Sequence, residues 1–247
     1  MQRQREAARK AWAGSGEATT EEVWFDIREE TGSSEFLGYD TESAEGILAA
    51  IVVDGKCRET LETGMKAMLI ANQTPFYAES GGQMGDQGIL SSAEGAEFIV
   101  EDTVKRLEDL HVHIGTLRGG SLSIGSSVEM RVDGDRRKKL RANHSVTHLL
   151  HAALRQHLGE HVAQKGSLVA PDYLRFDFSN PKPVSVDEMS RIESDVNRRV
   201  RENSPGVTLQ MTPDHAQKAG AVALFGEKYG EEVRVVSMGQ GVKSLKP

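Results

Sequence analysis

The chain has 247 residues, of which 38% are hydrophobic and 27% are charged, and its formal net charge at pH 7 is −7. This composition is typical of a soluble globular protein that can bury the core of one large domain or two medium domains. The acidic balance argues against a protein that wraps nucleic acid over its whole surface, so only a local basic patch could bind a polyanion.

Cysteine content and apolar patterning limit the compartment. Cys57 is the single cysteine, which excludes an internal disulfide and a cysteine-based zinc cage within one chain. No apolar run approaches the roughly 20 residues that span a bilayer, and the N-terminus lacks the apolar core of a secretory signal. We therefore expect a cytoplasmic protein that binds neither membrane nor DNA.

Residues 1–34 are predicted to form a helical lead-in and a linker. Residues 1–13 are rich in Ala, Arg, Gln and Glu, which favour a helix, and Gly14-Ser15-Gly16 would end it. A helix with no capping residue ahead of it is expected when a reading frame starts inside a longer protein. A short mixed element from Val23 to Gly32 follows, and the linker is Gly32–Ser34.

Residues 35–135 consist of short β-branched runs that are set apart by turn residues. This pattern predicts a small β-barrel or sandwich. Asp54-Gly55, which follows the apolar run Gly46–Val53, is a hairpin signal. Two longer segments, Gln73–Gly88 and the polar connection from Gly115 to Gly125, are predicted as loops.

Residues 136–247 alternate between helix and strand patterns, which predicts a second domain with helices packed on a mostly antiparallel sheet. The fold class is therefore predicted as α+β. Ser185 and Glu188 form a capping-box pattern that starts an amphipathic helix. The predicted elements are the segment Val162–Val169, the strand Leu174–Phe178, the helix Ser185–Asn203, the strand Val207–Met211, the helix Pro213–Ala219 and the strand Val233–Ser237.

Two histidines in a helical segment are the first candidates for chemistry. His144 and His148 are four residues apart, so they share one helix face and could bind a metal together with further ligands. Asn143 is a plausible N-cap, which would place the pair in the first turn. Ser145 stands where zinc peptidases have a glutamate, which disfavours peptidase chemistry. His151, on the neighbouring turn, is interpreted as a core residue, with a role behind the metal ligands as the alternative.

A glycine-rich loop is the second candidate. Glu79–Asp86 has no Lys-Ser or Lys-Thr after it, so it is not a phosphate-binding P-loop. It is longer than a hairpin turn needs to be, and a loop of this kind can lean over a neighbouring pocket. Ordinary turn chemistry is the alternative interpretation.

Several of these motifs resemble a known family. The segments Thr74–Asp86 and Asn143–His148 resemble the editing region of alanyl-tRNA synthetase, and Gln164–Val169, Leu174–Phe178 and Ala223–Tyr229 match the same family in the same order. The likeness covers nearly the whole chain. It implies a small N-terminal β-barrel followed by an α+β editing domain of the threonyl/alanyl-tRNA synthetase type, over residues 35–135 and 136–247.

The resemblance implies a reaction and its residues. The editing site of this family hydrolyses the ester between serine or glycine and tRNA(Ala). By resemblance, His144 and His148 are two zinc ligands, Thr147 lines the amino-acid pocket and Gln164 positions the substrate. Zinc can polarise or orient the groups that ester hydrolysis requires. The family's aminoacylation domain would lie upstream of residue 1, so we expect no aminoacylation site in this chain.

The acceptor end of tRNA(Ala) is the expected partner. The basic segment from Arg136 to Lys139, together with Arg141, could contact phosphates of the acceptor stem. The glycine-rich loop is a second candidate for contact. The candidate contacts to substrate or tRNA are Gly81, Gly82, Gln83, Arg136, Arg137, Lys138, Lys139 and Arg141.

The sequence departs from the family at the remaining zinc ligands. The family supplies them from a Cys-x-x-x-His motif shortly after the strand that matches Val233–Gly239, whereas this chain reads Gln240–Pro247 there. Cys57 is interpreted as a barrel residue and His215 as a helix-surface residue, so neither is a good substitute. We expect weak zinc binding and impaired editing in a truncated product, unless another chain completes the site.

Two other functions remain open. The chain could be a non-catalytic tRNA-binding module that is completed in trans by a chain carrying the missing Cys and His. It could also be a stand-alone metallo-hydrolase that acts on another substrate, which would require stoichiometric zinc in the isolated chain.

Overall fold

The protein was analysed as a computed structural model that describes residues 18–219, 232–238 and 242–246. The helix predicted over residues 1–13 and the segment Ala223–Tyr229 lie outside these described residues. The chain forms two compact units, Met1–Ser80 with Gly85–Gly134 and Gly81–Met84 with Asp135–Pro247. A short segment of the glycine-rich loop therefore belongs to the second unit.

The described part of the first unit begins with a helix, where the sequence predicted a short mixed element. Helix α1 spans Ala18–Thr31. Trp24 and Ile27 lie three residues apart on its buried face and pack against Ala50, Val52 and other apolar residues. The prediction was wrong because this short apolar stripe was too weak to mark an amphipathic helix from sequence alone.

Strands form the rest of the first unit, and six of them close into a barrel, which confirms the predicted small β-barrel. The ladder runs β11-β7-β8-β9-β5-β2, and β11 also pairs with β2 to close it. Closure leaves the six barrel strands without an open edge, whereas the short strand β3 pairs, among the described strands, only with β2. The strands are β1 (Glu35–Phe36), β2 (Ser43–Val53), β3 (Lys56–Arg58), β4 (Thr60–Glu62), β5 (Lys66–Ala71), β6 (Gln73–Thr74), β7 (Gly88–Ser91), β8 (Glu97–Arg106), β9 (Leu110–Gly119), β10 (Ser121–Ser123) and β11 (Ser127–Val132).

The barrel core consists of inward-facing apolar side chains that alternate with outward-facing polar ones along the strands. Strand β11 shows this alternation in full, with every second residue buried. The period of two is what a strand with one buried face requires. Fully buried members of the core include Leu48, Phe76, Phe98, Leu117 and Met130.

The predicted hairpin at Asp54-Gly55 is confirmed. Strands β2 and β3 pair antiparallel across this turn. Asp54 has a φ of 50° and Gly55 a φ of 73°. Positive φ at both central residues is what a tight hairpin turn with the right twist demands.

The loop predicted from Gly115 to Gly125 is wrong at its start, because strand β9 continues to Gly119 and β10 follows. Gly115 pairs with Val100 of strand β8, next to a shift in register. A Cβ atom at Gly115 would overlap the carbonyl oxygen of Ile99 and lie 2.8 Å from its carbonyl carbon. Glycine here permits close approach of two strands and does not signal a turn.

The close approach of the two strands at Gly115 predicts that a larger residue there destabilises the fold. Gly115→Ala should lower the free energy of unfolding by about 2–3 kcal/mol, because the added methyl group meets backbone that cannot move independently. Gly119→Ala is the matched control in the same strand, since its Cβ would meet only the carbonyl oxygen of Gly95 at 4.0 Å. Urea denaturation of both variants measures the difference, and equal stabilities would contradict the packing argument.

A neutral histidine is built into the barrel core. His113 is fully buried, its Nδ1–H donates to the carbonyl oxygen of Leu69 at 3.0 Å, and its Nε2 accepts from the Thr74 hydroxyl at 2.8 Å. Burial lowers the pKa of His113 from 6.5 to about 4. The pKa of His111 is also lowered to about 4, by burial first and then by the charges of Lys105 and His113.

These shifts predict a loss of stability in mild acid. The unfolded chain takes up protons on these histidines below about pH 6.5, whereas the folded chain does so only near pH 4. Stability should therefore be complete above pH 6.5 and decline between pH 6.5 and 4, by on the order of 3 kcal/mol for His113. Denaturation midpoints at pH 7.5 and 4.5 test this, and His113→Gln should show a smaller loss than the unchanged chain.

The second unit confirms the predicted antiparallel pairing. Strands β12 and β13 form one antiparallel pair, and β14, β15 and β16 form an antiparallel three-stranded sheet. No described helix combines the length and the apolar character that crossing a membrane requires. The elements are α2 (Gly134–Leu158), β12 (Gln164–Val169), β13 (Leu174–Phe178), α3 (Val186–Glu202), β14 (Gly206–Met211), α4 (Pro213–Lys218), β15 (Val233–Met238) and β16 (Lys243–Lys246).

Helix α3 begins and ends where its sequence predicted. The Ser185 side chain accepts from the backbone N–H of Glu188, and the Glu188 carboxylate accepts from the backbone N–H of Ser185 at 2.9 Å. Asn203, with a φ of 45°, closes the other end. These reciprocal hydrogen bonds satisfy donors that a helix start leaves unpaired, which is why a local pattern was sufficient to place the helix.

Candidate metal centre

The two candidate histidines lie well inside helix α2 and not in its first turn. The helix begins at Gly134, with Asp135 in its first turn, and continues through the basic segment to Leu158. An acidic residue near the start complements the helix dipole. The prediction that Asn143 caps the helix is therefore wrong, because the helix begins several residues earlier.

Asn143 makes a tertiary contact instead. Its side-chain amide donates to the carbonyl oxygens of Ala170 and Pro171, at 2.8 Å and 3.1 Å. These residues directly follow strand β12. The contact fixes the middle of helix α2 against the end of that strand, close to the two histidines in sequence.

His144 and His148 project from the same face of helix α2, as their spacing predicted. Their ring centroids are 5.1 Å apart and the planes differ by 28°. His148 is buried and His144 is half-buried. Two imidazoles one helical turn apart, held partly out of water, form a nitrogen-rich pair that suits zinc.

A glutamine from the glycine-rich loop contacts the first histidine. The Nδ1 atom of His144 lies 2.6 Å from Oε1 of Gln83, 61 positions away in the sequence. A carboxamide oxygen only accepts hydrogen bonds, so Nδ1 carries the proton, and in the neutral imidazole Nε2 then carries the lone pair. Sequence reasoning selected Gln83 as a substrate or tRNA contact and did not anticipate this hydrogen bond.

The backbone of the glycine-rich loop pairs with strand β12. Val169 N–H donates to the carbonyl oxygen of Gly82 at 2.7 Å, and Met84 N–H donates to that of Val169 at 3.1 Å. Gly82 has a φ of 79°, and a Cβ there would lie 2.6 Å from the carbonyl oxygen of Ser167. Glycine is therefore required by the close approach of two backbones as well as by the left-handed conformation.

Thr147 lies between the two histidines on helix α2 and is buried. Its hydroxyl donates to the carbonyl oxygen of Asn143 at 2.9 Å. The hydroxyl oxygen keeps its capacity to accept a hydrogen bond. Thr147 can therefore act as an acceptor beside the two imidazoles.

Gln164 lies at the start of strand β12. Its amide donates to the Ser167 hydroxyl at 3.1 Å, and the register with β13 shifts between Gln164 and Gly166. Within the described residues, no hydrogen bond or ring contact joins Gln164 to either candidate histidine. Ser167 links the two regions, because it also contacts Gly82.

The other candidate ligands are accounted for. His151 is buried and packs against Phe176 with ring centroids 5.3 Å apart, which supports the core interpretation. Burial, followed by the charge of Arg155, lowers the pKa of His151. His215 lies exposed on helix α4 and Cys57 on strand β3 of the first unit. Among the described residues, no group of three or more His, Cys, Asp or Glu side chains could hold a metal.

The basic cluster is a part of helix α2 and not a segment ahead of it. Lys138, Lys139 and Arg141 are exposed and Arg136 is half-buried. Arg137 is only 4% exposed, so it differs from the surface residue that a phosphate contact requires. Lys138 and Lys139 form exposed ion pairs at 3.2 Å and 3.7 Å, which phosphate could replace because exposed pairs contribute little.

Comparison with known proteins places the chain in a family. A sequence profile described as tRNA synthetases class II (A) matches residues 1–136, more than half of the chain. The chain belongs to the class II (A) tRNA synthetases. The matched residues cover the barrel unit, whereas the histidine pair lies after them.

Curated relatives extend the similarity across the histidine site. An alanine–tRNA ligase of Parvibaculum lavamentivorans is 59% identical over 239 residues, 97% of this chain and 27% of the relative. An alanine–tRNA ligase of Rhodopseudomonas palustris is 58% identical over 243 residues, 98% of this chain and 27% of the relative. An alanine–tRNA ligase of Chelativorans sp. is 55% identical over 246 residues, 100% of this chain and 28% of the relative. This class II synthetase chain therefore spans about a quarter of the length of the curated relatives that it matches.

The two hydrogen bonds of the Asn143 side chain are predicted to stabilise the fold. Asn143→Asp removes both donors and places a carboxylate against two carbonyl oxygens, so it should lower the free energy of unfolding by about 1–3 kcal/mol. Asn180→Asp is the matched control, because it loses a single exposed hydrogen bond to the carbonyl oxygen of Lys182. Thermal unfolding of both variants measures the loss of stability. An equal loss in the two would contradict a stabilising contact between Asn143 and the residues after strand β12.

Proposed function

We propose that this chain is an editing module of an alanine–tRNA ligase for the ester between serine or glycine and tRNA(Ala), and that its hydrolysis is impaired when the chain acts alone because two metal ligands are missing. The observation that carries the proposal is the pair of the buried His148 and the half-buried His144 on one face of helix α2. The similarity to alanine–tRNA ligases across this site supports it. The editing site then lies on the second unit.

Zinc is the proposed cofactor, and the residues present fit two of its ligands. His144 and His148 would hold it through imidazole nitrogens, and the hydrogen bond to Gln83 leaves the lone pair of His144 on Nε2. No His or Cys lies outside the described residues, so a Cys and a His that complete the zinc site would come from another chain. When bound, zinc would supply a Lewis acid for the ester carbonyl and its attacking water.

Amino-acid recognition is assigned to the hydroxyl beside the histidines. Thr147 can accept a hydrogen bond from the serine hydroxyl, whereas alanine offers no such donor. A buried hydroxyl oxygen that gains a hydrogen bond from one substrate and none from another favours the first substrate. This argument covers serine and not glycine, which offers no side-chain donor either.

Substrate positioning is assigned to Gln164. Its amide is held by the Ser167 hydroxyl, which lies against the glycine-rich loop that carries Gln83. A side chain fixed in this way can orient an ester for attack by water, since correct orientation lowers the barrier to reaction. Gln164 makes this contribution through the strand and not through a contact with the histidines.

The acceptor end of tRNA(Ala) is the proposed partner. Lys138, Lys139 and Arg141 are exposed on the same helix as the histidines. Contacts between these cations and phosphates would release counterions, so binding should weaken steeply with salt. The net acidic charge of the chain confines such binding to this local patch.

One observation favours a second function. Among the described residues, no third His, Cys, Asp or Glu side chain joins His144 and His148 in a group that could hold a metal. A non-catalytic tRNA-binding module, completed in trans by a chain that supplies a Cys and a His, accounts for this half site. In that case tRNA(Ala) binding is a property of this chain, and hydrolysis belongs to the pair.

Deacylation by the purified chain tests the proposal. Serine release from Ser-tRNA(Ala) should require zinc, leave Ala-tRNA(Ala) intact and fall at least about tenfold in His144→Ala and in His148→Ala. His161→Ala is the control, because His161 follows the end of helix α2 and makes an exposed hydrogen bond to Asn180. Acid-gel separation of charged and uncharged tRNA(Ala) measures the rates.

The outcomes separate the two functions. Zinc-dependent serine release by the chain alone supports the editing module. Binding of tRNA(Ala) without release, followed by release when a Cys-x-x-x-His chain is added, supports the module completed in trans. Equal hydrolysis of Ser-tRNA(Ala) and Ala-tRNA(Ala), or no effect of either histidine variant, would contradict an editing site at this pair.

A further inference from the structure

We propose that Gln83 is a positioning residue for His144: its side-chain oxygen holds the proton on Nδ1 and so presents Nε2 as a ligand to a divalent metal such as zinc. The inference rests on the proposed function for the identity of the metal. The hydrogen bond itself is a property of the folded chain. It gives the glycine-rich loop a role different from the substrate or tRNA contact that its sequence predicted.

The distance and burial of the contact carry the first step. Gln83 Oε1 and His144 Nδ1 are 2.6 Å apart, and Gln83 is 6% exposed. Because Gln83 is buried, water cannot readily replace its amide oxygen as the acceptor from His144 Nδ1. A histidine has two neutral tautomers, and the hydrogen bond made by one ring nitrogen decides which nitrogen can bind a metal.

The backbone of the loop carries the second step. Gln83 lies between the two backbone hydrogen bonds that join Gly82 and Met84 to Val169. Its side chain therefore extends from a paired backbone and not from a flexible loop. The geometry that Gln83 imposes on His144 is set by strand β12.

The absence of a Cβ at Gly82 carries the third step. A methyl group there would overlap Ser167 and would also have to adopt a φ of 79°. A larger residue would displace the loop from strand β12 and with it the amide of Gln83. Gln83 in the glycine-rich loop and His144 on helix α2 are 61 positions apart, and together they orient one imidazole for a metal.

Variants at Gln83 separate positioning from packing. Gln83→Leu keeps the size of the side chain and removes the acceptor, whereas Gln83→Glu keeps an acceptor oxygen at the same position. Gln87→Leu is the matched control, since it removes the same amide four positions along the chain, where it donates to the Glu101 carbonyl oxygen. A role in packing alone predicts that Gln83→Leu leaves both the His144 tautomer and the zinc affinity unchanged.

Long-range ¹H–¹⁵N correlation spectra of the metal-free chain at pH 8 report the tautomer of each histidine. The His144 signals are assigned by their loss in His144→Ala. The unchanged chain, Gln83→Glu and Gln87→Leu should carry the His144 proton on Nδ1. Gln83→Leu should shift His144 towards the Nε2–H tautomer.

Zinc affinity, measured by competition with a chromophoric chelator, is the second readout. Gln83→Leu should weaken binding about 10- to 100-fold, which is the usual effect of removing a hydrogen-bond partner behind a metal ligand. Gln83→Glu should restore at least part of the loss. Gly82→Ala should reproduce the change of tautomer with Gln83 still present, which covers the case in which Gln83→Leu fails to fold.

The spectra decide the proposal independently of editing activity. A proton on Nε2 in the unchanged chain, or an unaltered His144 tautomer in both Gln83→Leu and Gly82→Ala, would overturn it. The expected tautomer pattern in a chain that neither binds zinc nor releases serine would uphold the effect of Gln83 on the His144 tautomer and would reject editing by this chain alone.

Discussion

Backbone pairing between the glycine-rich loop and strand β12 is the constraint on which the candidate site depends. Two hydrogen bonds to Val169 flank Gln83, and the position of its side chain follows from them. Only a glycine at position 82 permits the approach, because Ser167 occupies the space of a Cβ. Gly82 is therefore explained by the contact of two backbones, and no bound ligand is needed to account for it.

Helix α2 supplies the other half of the site, and its packing keeps the two imidazoles in place. Leu154 packs against Ile192 of helix α3 in one apolar cluster. His157 and Asp195 add a polar link between the same two helices, with 3.4 Å between Nε2 and Oδ2. Asn143 fixes the middle of helix α2 against the residues after strand β12. A helix held at several points keeps functional side chains at a constant spacing better than a loop does.

Two histidines show how one chemical arrangement serves two purposes. In the barrel, His113 donates from Nδ1 to Leu69 and accepts at Nε2 from Thr74, so both nitrogens are committed to the core. Burial then lowers its pKa to about 4. His144 has the same Nδ1 hydrogen bond, to Gln83, on a half-buried face of helix α2. The same tautomer that completes a core in the first unit suits a metal ligand in the second.

Local sequence determined the features that depend on neighbours along the chain. The capping box at Ser185, the strand Leu174–Phe178 and the shared face of the two histidines follow from periodicity and from hydrogen bonds within one turn. The tertiary structure decided the rest. Asn143 carries the side chain of a helix cap, yet it bonds to a distant strand end, so the start of helix α2 was misplaced. The contact of Gln83 with His144 joins residues 61 positions apart. No periodic pattern encodes such a pairing, because it arises only when the loop and the helix meet on the same strand.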